Sequence, residues 1–189
     1  MNNERLVENC LAAKSIFFGL GVFVFMYLPE DWMLGRLTEP PECLSLGSWS
    51  RNYNFRWITD GFILTTLENL KERRGYALRV DIKMFQDAEK AKKHVLKKIE
   101  KIKRKNIKVL EEGNTNIGEH NGKFLLWTRK FKSFLKRKEG EEFCAEFPTY
   151  CTSTERLVWI KVRCSTPENF ILDREDIMKI LSTITCHEK

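Results

Sequence analysis

The sequence predicts an α+β fold: an antiparallel sheet flanked by a long basic helix and a C-terminal helix, with an apolar helix ahead of them at the N-terminus. Three observations carry that prediction. In residues 76–85, Tyr76, Leu78, Val80, Ile82 and Met84 alternate with Arg79, Asp81 and Lys83, the period of a half-buried strand. Ala88, Ala91, Val95, Ile99 and Ile102 recur at spacings of 3, 4, 4 and 3, which is one apolar stripe of a helix. Ile177, Ile180, Leu181 and Ile184 draw a second such stripe near the C-terminus.

A chain of 189 residues suits one domain plus an appendage and can bury a real core. The 13 phenylalanines and 5 tryptophans supply enough apolar surface to offset chain entropy, which excludes a disordered polymer. The expected organisation is an apolar helix over residues 1–28, a linker over 29–53 and the α+β domain over 54–189.

The apolar run occupies residues 15–28 and is closed by Pro29-Glu30-Asp31. Counted from Leu11 to Leu28, a helix would be about 27 Å long at ~1.5 Å per residue, close to the ~30 Å of a hydrocarbon core. Lys14 lies near one end, where its stem can reach the headgroups, and Tyr27 and Trp32 stand where interfacial aromatics belong. The run is therefore expected to be a single-pass membrane anchor, with a slight lean to N-terminus inside from Arg5 and Lys14. A core helix and a signal peptide are the other readings, and no small-x-small cleavage site follows the run.

Pro29, Gly35, Pro40, Pro41 and Gly47 punctuate the linker. An aromatic-rich strand is expected at 53–59. Asp60-Gly61 signals a hairpin turn into a strand at 62–67, and a polar stretch at 68–75 precedes the alternating strand. Asp87 is placed to cap the helix of 87–106, with Glu89 in its first turn and cations towards its end, as the helix dipole favours. A short strand at 107–111 and a turn-rich connection at 113–122 follow, with Asn121-Gly122 as the turn. A long strand at 123–134, a turn at 136–140 and a hairpin of 142–151 with 156–165 come next. Val158, Ile160, Val162 and Cys164 share one face of its second strand. Asp173 is expected to cap the last helix, 174–185, with Asp176 in the first turn.

Lys108 to Glu111, His120-Asn121-Gly122, Thr149-Tyr150-Cys151 and the run 177–184 occur in this order. In order and spacing they resemble the PsbP-like α/β/α sandwich over residues 54–186, and more closely small archaeal proteins of that build. The resemblance implies a mostly non-enzymatic extrinsic or adaptor domain, and it assigns no functional residue.

The net charge of +7 hides an asymmetry. Residues 71–138 hold 22 Lys/Arg against 8 Asp/Glu, and the rest of the chain 11 against 18. A basic middle between acidic flanks suits anions such as phosphate polymers or acidic headgroups. The candidate anion-contact face is Lys93, Lys97, Lys101, Arg104 and Lys105. A merely solvated helix face would read the same.

Catalytic and cofactor chemistry finds no motif: there is no phosphate-binding glycine loop, zinc-protease helix or nucleophile elbow. The six cysteines form no C-x-x-C pair and no histidine stands at zinc-ligand spacing. Cys144 and Cys164 could face each other across the late hairpin, although buried thiols are the default. His120 beside Glu119, and Cys151 near His120, are the thin candidates for acid–base or thiol chemistry. Trp127, Phe131 and Phe134 interleave with Arg129, Lys130, Lys132, Lys136, Arg137 and Lys138, as in single-strand nucleic-acid binders, though no known binding signature accompanies them. The expected function is thus a non-enzymatic, membrane-anchored domain that acts through protein-partner or lipid contact and takes no cofactor, metal or small-molecule substrate. The alternative is a soluble, cytoplasmic nucleic-acid-binding protein using the basic helix face.

Overall fold

A computed structural model describes residues 6–14, 21–35, 60–133 and 138–185. Its first feature corrects the sequence reading. Strand β1 (Leu6–Lys14) pairs antiparallel with β2 (Gly21–Pro29), from Leu6 opposite Pro29 to Lys14 opposite Gly21. The described part of the apolar run, residues 21–28, is therefore strand where an N-terminal helix was expected. Its second half, Val22-Phe-Val-Phe-Met-Tyr27, is β-branched and aromatic, which fits a pleated surface, and Gly19 and Gly21 weaken a helix by about 1 kcal/mol each. Among the described residues no helix is long and apolar enough to cross a membrane. That overturns the transmembrane helix, the single-pass anchor and the membrane localisation drawn from it. Met26 and Leu28 are fully buried in the main core instead.

The other strands form one antiparallel sheet in the order β3-β4-β5-β9-β8-β7-β6. They are β3 (Trp32–Gly35), β4 (Asp60–Asn69), β5 (Arg74–Met84), β6 (Lys108–Ile117), β7 (His120–Ser133), β8 (Lys138–Cys151) and β9 (Arg156–Cys164). Helix α1 (Ala88–Lys103) follows β5, and α2 (Pro167–Ser182) follows β9. β3 falls in the segment read as linker and pairs with β4. The strand expected at 53–59 lies outside the described residues.

Alternate residues of β9 settle which face each helix covers. Val158, Ile160 and Val162 pack with Phe170, Ile177, Ile180 and Leu181 of α2. Leu157 and Trp159 pack with Val95, Ile99 and Ile102 of α1. The helices lie on opposite faces of the sheet, the layering of an α/β/α sandwich. The hairpin of β1 and β2 joins the α2 side: the Phe25 N–H donates to the Thr185 carbonyl at 2.9 Å and Thr185 returns the bond at 2.8 Å.

Three turn and cap assignments shift. Asp60 and Gly61 are not a turn but the first residues of β4, opposite Lys83 and Ile82. Asn121 and Gly122 belong to β7, opposite Asn116 and Thr115, and the turn comes earlier, where Ile117 pairs with His120. Gly118 there has a φ of 58°, and a Cβ would run into the Ile184 carbonyl. This contact outranks the local Asn-Gly preference. Asp173 does not cap a helix: α2 starts earlier, at Pro167, a residue tolerated in a first turn because its missing N–H has no helical partner to lose.

Asp173 has another role, buried against the sheet. Its carboxylate accepts from Arg74 Nε at 2.7 Å, from Arg74 Nη2, from Tyr76 Oη at 2.6 Å and from Asn69 Nδ2 at 3.4 Å. Burial works to raise its pKa, but the bonds from Arg74 and Tyr76 outweigh it and hold the group below the ordinary carboxylate value. Burial, then the bond to Asp173, pushes the Tyr76 phenol well above its ordinary value. This knot fixes α2 to the β4–β5 end of the sheet.

Candidate functional site

Helix α1 forms as its sequence requires. Asp87 accepts from the N–H groups of Glu89 at 2.8 Å and Lys90 at 3.4 Å, Glu89 sits in the first turn, and Lys101 and Lys103 sit in the last. Ala91, Val95, Ile99 and Ile102 are buried on the sheet. That orientation turns Lys93, Lys97, Lys101, Arg104 and Lys105 outward, and all five are exposed. Lys93, Lys97, Lys101 and Arg104 follow at intervals of four, four and three, so they form one stripe. Among the described residues no ion pair engages any of the five, whereas Lys103 is bound to Glu112.

The sheet face beneath and beside α1 is unusually polar. Register places Arg79 opposite Lys161 and Lys161 opposite Glu146; the neighbouring rows hold Asp81 opposite Trp159, and Arg163 opposite Cys144. Glu146, 3% exposed, accepts from the indole N–H of Trp159 at 2.7 Å and of Trp127 at 3.3 Å. Cys144 stands beside it, its thiol pushed up by burial and then by the Glu146 charge. Asp81 accepts from Lys161 at 2.5 Å and from Arg79 at 2.7 Å. Burial opposes ionisation of Asp81, but these two bonds win and keep its pKa low. Glu142 pairs with Arg129 at 2.8 Å and with Arg163 at 3.5 Å.

Lys98 reaches down from α1 into this setting, its Nζ 4.0 Å from the centroid of the Trp159 ring. Burial, and then the nearby Lys161 charge, hold its pKa below the ordinary lysine value. Beside it a cleft of about 140 Å³ opens between α1 and strands β5 and β9. Asp81, Ile82, Lys83, His94, Lys98, Leu157 and Trp159 line it. The sequence identified the outer stripe but not this cleft. The long-range register of β5 with β9 brings Asp81 to Trp159, and no local pattern announces it.

The other candidates separate. Trp127, 5% exposed, lies in the core under α1, with its N–H on Glu146, so it offers no face for a base. Phe134 lies outside the described residues. Cys144 is opposite Arg163 and Cys164 opposite Phe143, so the two thiols point to opposite faces and the cross-hairpin pairing does not form. Cys144, Cys151 and Cys164 all stand as thiols. Cys151 is fully buried and His120 half-buried at the start of β7. Among the described residues no group of three acidic, histidine or cysteine side chains is placed to hold a metal.

No family model matches the chain, and no curated protein matches it. Among solved structures it is similar to the solution structure of cyanobacterial PsbP from Synechocystis, at 8% identity and a TM-score of 0.44, over 99% of this chain and 95% of that one. It is also similar to the Saccharomyces cerevisiae Ran-binding protein Mog1p, at 10% identity and a TM-score of 0.46, over 97% of this chain and 96% of that one. Both fit the weak PsbP-like resemblance read from the sequence; neither bears on function, and nothing in them shows an archaeal origin.

Proposed function

We propose that the chain is a non-enzymatic binding domain whose α1 stripe, Lys93, Lys97, Lys101, Arg104 and Lys105, contacts an acidic protein partner. The observation that carries this reading is the stripe itself: exposed cations, none in an ion pair among the described residues, on a helix locked to the sheet by four buried side chains. Like charges one turn apart cost an isolated helix about 0.2–0.5 kcal/mol per pair. A partner with carboxylates at matching spacing relieves that repulsion, and the field of the stripe speeds the encounter. Nucleic acid is the competing polyanion. It is less favoured because Trp127, the first of the interleaved aromatics, is buried.

The test is affinity capture by the intact chain from its native extract, with and without nuclease, beside the variant Lys97→Glu/Lys101→Glu/Arg104→Glu. The expected result is an acidic protein held at low salt, insensitive to nuclease and lost with the variant. Capture abolished by nuclease would hand the face to nucleic acid. Capture unchanged in the variant would move the site off α1.

A further inference from the structure

The flank of α1 between its outer stripe and the sheet carries His94 and Lys98, one turn apart, and both line the cleft, so the basic surface of the helix reaches down to it. Lys98, at the mouth of that cleft, is half-buried, and among the described residues no carboxylate forms an ion pair with it. The two carboxylates near enough to act on it are engaged elsewhere: Asp81 by Lys161 and Arg79, Glu146 by the two indoles. What Lys98 does have is the Trp159 ring at 4.0 Å and a like charge in Lys161. A half-buried cation in this position is short of a counterion, and the cleft beside it has room for one oxyanion.

We propose that this cleft is the specificity pocket of the α1 face, taking one carboxylate or phosphate group of the acidic partner on Lys98, with the Trp159 ring as its floor. The proposal rests on the binding role given to α1 above and adds what that role lacks, a point of selection. Exposed lysines attract any polyanion, whereas an oxyanion set into a partly dehydrated cleft has to arrive at one position along α1. Lys83 of β5 adds a second cation to the lining of the cleft. Lys98's own charge, disfavoured by burial, is stabilised when the anion arrives.

The probes are a hexaglutamate peptide and a phosphoserine peptide of equal length, each titrated into the intact chain and followed by ¹H–¹⁵N NMR at the Trp159 indole and the α1 amides. Saturable movement of the Trp159 indole resonance with at least one peptide is expected, and which peptide binds tighter identifies the anion. Lys98→Met keeps the apolar stem over the indole and should weaken that peptide about tenfold, the weight of one charge-assisted bond. Lys98→Arg keeps the charge and should restore most of the affinity. If the α1 amides near Lys97 and Lys101 move while the Trp159 indole does not, the pocket is refuted and the outer stripe stands. Should neither region respond, both readings fall together. A Lys98→Met chain that melts like the parent and binds as tightly also overturns the pocket.

Discussion

The two faces of the sheet solve the same problem, covering a strand surface with one helix, in different ways. On the α2 side the strands offer Leu78, Val80, Ile82, Val158, Ile160 and Val162, and the helix and the β1–β2 hairpin cover them with apolar side chains. Its buried ionic group, Asp173, has Arg74, Tyr76 and Asn69 on its carboxylate. On the α1 side β5 and β9 offer Arg79, Asp81, Lys161 and Trp159, joined by Glu146 of β8 and Trp127 of β7, and the helix covers only part of them. Carboxylates there are satisfied, but Lys98 is left with a ring and a like charge. A fully partnered buried charge belongs to the scaffold. A half-buried charge without a counterion marks the face that meets something else.

The largest effect should come from the finished face. Asp173→Ala takes from the Arg74 guanidinium and the Tyr76 hydroxyl the carboxylate they share, leaving Arg74 only Glu72 and Tyr76 only the Asn169 carbonyl, and removing one partner of a buried pair costs about 3–5 kcal/mol. Urea denaturation reads this directly, and a loss below ~1 kcal/mol would mean that water replaces the carboxylate and that the face is not sealed. The milder Asp173→Asn tests the charge through pH. Because the folded pKa of Asp173 is held below its ordinary value, its stabilisation is complete above the unfolded pKa of about 3.9 and is lost as pH falls through the folded one. The parent's advantage over Asp173→Asn should therefore shrink below about pH 4.

A smaller effect is expected at Glu146, where the two faces can be compared group for group. Glu146→Gln keeps one oxygen for one indole and turns an amide N–H towards the other, a loss of about 1.5–3 kcal/mol for a bond to a charged group. Denaturation followed by tryptophan fluorescence would report it, since both indoles sit on this carboxylate. A change under ~0.5 kcal/mol would show that the indoles are held by packing alone.

Much of this architecture was legible because it is written at short range. Of the stripe read from Ala88 to Ile102, all but the exposed Ala88 dock, and they fix which side of α1 faces the sheet and so which lysines face out; the alternation of 76–85 fixes the two faces of β5. What failed was decided by contacts distant in sequence. The run ending at Leu28 has the hydropathy of a membrane segment, yet its described part is a strand, β2, whose Met26 and Leu28 complete the α2-side core. Asn121-Gly122 has turn chemistry, but Gly118 is the residue that can pass beneath the Ile184 carbonyl. Asp173 resembles a cap only until Arg74 is brought beside it, nearly a hundred positions away in the chain. The outer stripe of the site could be read from helical spacing, whereas the Lys98 cleft needed the β5–β9 register.

On the outer stripe, stability and binding should come apart. Lys97→Glu, Lys101→Glu and Arg104→Glu touch no buried group, and each should change stability by no more than about 0.5 kcal/mol while the acidic partner is lost. A substantial destabilisation would make the stripe part of the scaffold and erase the contrast between the faces.

The subtlest measurement concerns Lys98 and is a matter of sign. Its folded pKa lies below the ordinary lysine value, so as pH rises the folded chain releases this proton before the unfolded chain does. Between the two pKa values the unfolded state holds more protons, and stability attributable to Lys98 rises with pH until it levels off above about 10.4. Urea midpoints of the parent and of Lys98→Met at pH 7, 9 and 10.5 isolate the effect, because every other lysine and tyrosine is common to both chains. The parent should gain on the variant as pH increases. With a saturating acidic peptide the gain should vanish, since an anion in the cleft raises the pKa of Lys98 back towards its ordinary value. A flat difference without peptide would mean that Lys98 already has its counterion, and the α1 face would then be as closed as the α2 face.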